Sequence, residues 1–123
     1  MIEVHKSPTC GCCGKWVEHL RSNDFVVTVN ETDKLDELRA KVGVPVALAS
    51  CHTAFVDGYV VEGHVPAKDI RKLLAERPKA LGLAVPGMPP ESPGMDAAHG
   101  SGYEVLLFQR DGVTRVYHAY ART

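Results

Sequence analysis

Three of the chain's four cysteines crowd into four consecutive positions, Cys10-Gly11-Cys12-Cys13, and the fourth, Cys51, is followed at once by His52. So few cysteines, clustered rather than dispersed, point to a chemical site and not to a disulfide scaffold. Cys10 and Cys13 have the C-x-x-C spacing of a redox dithiol. At the start of a helix, unpaired backbone N–H groups and the positive end of the dipole favour thiolate over thiol. Cys10 therefore reads as the nucleophile and Cys13, one turn further in, as the resolving partner. For that pair alone, small buried side chains or a structural disulfide is an equally good reading. Cys12 shifts the balance, because a two-thiol cycle has no use for it and it invites wrong pairing.

Cys12 is better explained as a third soft donor, with Cys51 as a fourth and His52 as an imidazole beside it. Thiolates favour copper(I), zinc and iron–sulfur centres. The spacing matches neither paired zinc knuckles nor a ferredoxin run. Met88 and Met95, in Pro86-Gly87-Met88-Pro89 and Ser92-Pro93-Gly94-Met95, sit where neither helical nor strand periodicity assigns them to a core. Thioether sulfur is a poor zinc ligand and a good copper(I) ligand, although packing beneath a long loop is an equal reading from composition alone. On a regular helix Cys12 turns away from Cys10 and Cys13. Either the helix begins only at Cys13, or the sulfurs bridge several copper(I) ions in a multinuclear cluster. Among the other histidines, His64 is expected to face the site from the end of a strand, while His5, His19, His99 and His118 read as surface residues.

The elements that must position these residues follow from hydrophobic period. Ile2 and Val4 alternate with polar neighbours, predicting a strand that enters the Ser7-Pro8 turn. Cys13, Trp16, Val17 and Leu20 recur at helical spacing, predicting a helix to about Arg21 with Thr9 as N-cap. Phe25 to Val29 predicts a buried strand, and Leu35, Leu38 and Val42 a second helix ended by Gly43. Val44 to Leu48, opening on Val44-Pro45, predicts a third strand. Asp57-Gly58 is a turn leading to a fourth, Tyr59 to Glu62. Ala67, Ile70, Leu73 and Leu74 mark a third helix between Pro66 and Pro78. Leu81 to Gly102, with five Gly and four Pro, reads as a loop, and Val105 to Phe108 with Val113 to Tyr117 as a C-terminal hairpin around Asp111-Gly112. This order implies a mixed sheet flanked by helices in one domain spanning 1–123.

Composition narrows the partners. Fourteen Lys plus Arg against fifteen Asp plus Glu, interspersed, form no basic stripe for nucleic acid. The apolar runs are too short to insert in a membrane, and the N-terminus shows no basic segment leading an apolar one, so no export signal is expected in this stretch.

The chain closely resembles the CopG-like family of bacterial copper-resistance proteins. The resemblance rests on Lys6 to Trp16 around the cysteine cluster, Ser50-Cys51-His52-Thr53-Ala54, Asp57 to Ala67, Gly82 to Pro89 and Ser92-Pro93-Gly94-Met95. It implies a thioredoxin-like fold, in which a cis proline opening the third strand packs beside the C-x-x-C and Val44-Pro45 is the matching dipeptide. It also implies copper(I) held in a thiolate-bridged cluster by Cys10, Cys12, Cys13 and Cys51, Met88 and Met95 as the methionines of the loop motif, a periplasmic setting and a role in copper tolerance. The expected partners are copper ions and other copper-handling proteins. The leading reading is a copper(I)-binding protein that couples copper redox to Cys10/Cys13 thiol–disulfide chemistry. The alternative is a thiol–disulfide oxidoreductase without a physiological metal, which needs only Cys10 and Cys13.

Overall fold

In the computed structural model Ile2 and Val4 are fully buried on the central strand β1, Ile2–Lys6, while Glu3 between them is exposed. The structure describes residues 2–7, 11–44, 48, 52–85, 103–109 and 111–120, with the backbone alone at 11–13. After β1 come α1 (Gly11–Ser22), β2 (Val27–Glu31), α2 (Leu35–Val42), β3 (His52–Val56), β4 (Tyr59–Glu62), α3 (Ala67–Glu76), β5 (Gly82–Ala84), β6 (Tyr103–Phe108) and β7 (Thr114–Tyr120). They form one mixed seven-stranded sheet in the order β2-β1-β3-β4-β5-β6-β7. β1 pairs parallel with β2 and antiparallel with β3, and β4 pairs parallel with β5 through the α3 crossover.

Alternation along the strands divides the core between two faces. Val61, Leu83 and Leu107 join Trp16, Val17 and Leu20 of α1 and Ile70 and Leu73 of α3. Their neighbours Val60, Ala84 and Phe108 pack on the opposite face with Val44, Leu48 and the end of α2. α2 is held there by charge as well as by apolar contact. Arg39, nearly buried, donates from Nε to Glu62 Oε2 at 2.9 Å and from a terminal nitrogen to exposed Asp36. Fully buried Glu62 also accepts the Thr53 hydroxyl. The apolar reading of α2 missed this, because a buried arginine has no signature without its partner on β4.

Three expectations are corrected. The predicted buried strand at Phe25 to Val29 lies two residues later, and only Val27 is buried, because β2 is the sheet edge with one flank open. Among the described residues the third strand is His52–Val56, Val44 and Leu48 at the ends of the predicted one lie in no strand, and 45–47 are outside the described residues. Val44 and Leu48 instead anchor the connection, Leu48 within a 3₁₀ turn, and Pro45 lies outside the described residues. The predicted loop begins with β5, a buried interior strand of three residues, too short to show a period.

The Asp57-Gly58 turn is as read. Both residues have positive φ, 50° and 89°, the type I′ geometry that matches strand twist, and Val56 pairs with Tyr59 across it. Gly82 is required for a different reason: a Cβ there would fall on the carbonyl oxygen of Val60 in the neighbouring strand.

Candidate metal centre

The register of the sheet brings the cysteine-bearing segments to one end. Lys6, the last residue of β1, pairs with His52, the first of β3, so the chain leaves β1 toward 8–10 at the end where it enters β3 from 49–51. At that end Gly63 N–H donates to His52 O, and Val85 N–H donates to Glu62 O just before the chain departs toward 86–102. It returns at Tyr103, which stands beyond the Ala84–Leu106 pair on the same side. Cys10, Cys51, Met88, Met95 and His99 lie outside the described residues. Cys12 and Cys13 are consecutive helical positions, since α1 starts at Gly11. Of the two alternatives for this segment, a helix that begins only at Cys13 is therefore excluded. Consecutive helical positions lie about 100° apart around the axis.

Beneath this end lies a buried aromatic stack. The His52 ring packs on Trp16 with centroids 4.2 Å apart and on His64 at 5.2 Å. All three side chains are fully buried. Trp16 Nε1–H donates to Val65 O at 2.9 Å, and His52 Nε2–H donates to Gly63 O at 2.7 Å. Burial, with His64 alongside, pushes the His52 pKa down to about 3, so the ring is neutral and Nδ1 is its acceptor nitrogen. Lys6 reaches Glu31 at 3.5 Å, and Lys15 is exposed. Among the described residues no group of three or more His, Cys, Asp or Glu side chains is placed to hold a metal ion.

Two histidines read as surface residues are structural. His19 Nε2 accepts the backbone N–H of Ala67 at 3.1 Å, capping α3 from α1, and burial lowers its pKa accordingly. His118 Nδ1–H donates at 2.7 Å to Asp69, which also accepts the Tyr120 hydroxyl. Asp69, 1% exposed in the first turn of α3, thus ties β7 to the helix. No local pattern marks these pairs, whose partners lie 48 to 51 residues apart.

The order β1-α1-β2-α2-β3-β4-α3, with C-x-x-C where β1 gives way to α1, defines a thioredoxin-like protein whose sheet is extended by β5 and a C-terminal hairpin. The family described as "Protein of unknown function, DUF411" matches residues 48–95. A solved structure titled "Copper resistance protein copG- Form 1" is 44% identical, covering 98% of this chain and 96% of its own, with a TM-score of 0.91. "Copper resistance protein copG- Form 2" is also 44% identical, covering 97% and 96%, at 0.90. No curated protein matches. The chain belongs to the CopG family of copper resistance proteins.

Proposed function

We propose that this chain serves copper resistance by binding copper(I) through Cys10, Cys12, Cys13 and Cys51, with thioether donors from Met88 and Met95. The observation that carries the reading is the shared end of the sheet. The described residues flanking 8–10, 49–51 and 86–102 meet there, although the donors are spread over 86 residues of sequence from Cys10 to Met95. The donor set is soft sulfur throughout, which suits copper(I). His52 is left out of that set because it is held by Gly63 and packed between two rings.

Copper is the cargo, and four thiolates exceed what one low-coordinate copper(I) ion needs. Thiolate sulfur bridges copper(I) ions readily, which supports sulfurs shared among several ions over enclosure of one. Anaerobic titration of the reduced protein against a chromophoric chelator is expected to end above one copper(I) per chain, and Cys12→Ser is expected to lower that endpoint while a Cys10–Cys13 disulfide still forms. An endpoint at one, unchanged in Cys12→Ser, would sink the cluster.

The same cysteines support the redox part of the reading. Oxidation of Cys10 and Cys13 to a disulfide withdraws two donors and releases copper, so binding follows the thiol state. We place this activity in the periplasm on the family resemblance; fractionation of the producing cell tests it, and recovery only with the cytosol would refute it.

A further inference from the structure

The two cysteine-bearing elements are joined beneath the site by a chain of contacts made by none of the proposed donors. Trp16 stands four residues after Cys12 and three after Cys13 on α1, while His52 directly follows Cys51. Trp16 is fixed at its far end by the Val65 carbonyl and presses its ring on His52, which is fixed in turn by Gly63 through both backbone and ring. Val65 and Gly63 belong to the single connection between β4 and α3. α1 and the start of β3 are thus referenced to one short segment.

We infer that the Val65–Trp16–His52–Gly63 chain is a spacer that sets the distance between the α1 cysteines and Cys51, with His52 acting as a positioning residue and not as a copper ligand. The inference rests on the proposed copper site only for its purpose, since the spacing itself can be read without metal. Buried groups locked by ring packing and hydrogen bonds hold their neighbours to a narrow geometry, as the residues behind a metal's ligands do. Its ring fills the space between Trp16 and His64, so both the size of the side chain and its donor atom matter. Gln at 52 keeps a donor of similar reach toward Gly63, whereas Phe keeps a ring on Trp16 and loses the tether.

The test uses the full chain with Cys10→Ser and either Cys12→Ser or Cys13→Ser, leaving Cys51 and one α1 cysteine. Dibromobimane becomes fluorescent when it bridges two thiols, and its cross-linking yield reports their separation without copper. His52→Phe is expected to lower the yield about fivefold to tenfold, the population shift of one lost hydrogen bond, and His52→Gln to stay within about twofold of the parent. Should His52→Phe not fold, Trp16→Phe, which keeps a ring on His52 and loses the bond to Val65, is expected to lower the yield in the same direction. Equal yields in all chains, or a Gln variant falling as far as Phe, overturn the spacer. So does a nitrogen scatterer in the copper X-ray absorption spectrum of the four-cysteine protein that vanishes in His52→Gln. Parent cross-linking that responds to His52 in a protein taking up no copper(I) would leave the spacer standing and sink the copper reading.

Discussion

His52 stands out in the sequence by its neighbour and in the folded molecule by its surroundings. Its place after Cys51 marked it as a donor, whereas its burial, its bond to Gly63 and its stacking on Trp16 are properties of the folded molecule. They have a consequence for acid stability. The folded pKa is depressed to about 3 from an unfolded value of 6.5, chiefly by burial. Above pH 6.5 the ring is neutral in both states and its stabilising contacts are fully present. Between 6.5 and about 3 the unfolded chain binds the proton first, so stability falls with falling pH by up to about 1.4 kcal/mol per unit from this group. His19 shifts in the same direction and adds to the slope. Urea unfolding of the reduced apoprotein across this range should show the decline, and His52→Gln should flatten it. An equal slope in that variant would assign the loss to other groups.

At the scale of elements, β5 and the C-terminal hairpin carry the sharpest expectations. β5 lies between β4 and β6 with Gly82 against Val60, where no side chain fits. Gly82→Ala should destabilise by more than about 3 kcal/mol or prevent folding, because the obstacle is backbone that cannot turn aside. A thermal midpoint within a few degrees of the parent would contradict that packing. The hairpin hangs on Asp69. Asp69→Ala leaves the His118 and Tyr120 donors without their acceptor and should cost about 2 to 4 kcal/mol, with Tyr120→Phe costing about 1. Amide exchange should quicken first in β7. Uniform loss of protection in both variants would mean that the hairpin and α3 unfold as one unit, with Asp69 serving the whole domain.

For the whole molecule, the proposed site requires thiols and copper to respond to one another. Two copper(II) ions each accept one electron from the Cys10–Cys13 pair, giving two copper(I), one disulfide and two protons. Copper(II) added to the reduced apoprotein without oxygen should therefore produce copper(I) in step with loss of two thiols, both measured in one sample. Four thiols still titratable after the addition would make the protein a passive carrier and remove the redox part of the proposal.

How much of this was legible beforehand depends on the range of the interactions. The cysteine cluster, the amphipathic faces of α1 and α3, the Asp57-Gly58 turn and the family motifs are local patterns, and local patterns survive in a sequence because 3.6-residue and two-residue periods leave a trace. The sequence by itself determined the alternation of strands and helices apart from β5, the soft character of the donor set and the family. It could not show that His52 to Val56 forms β3, since this segment opens on His and Thr and is selected by its pairing with β1. Nor could it show that Arg39 is buried against Glu62, that His19 caps α3, or that Asp69 holds β7. Each of those contacts joins residues more than twenty positions apart, and each polar group is stable inside only because the fold brings it a partner. The shared end of the sheet, on which the proposed site depends, belongs to the same class: it is a consequence of strand register, which no single segment encodes.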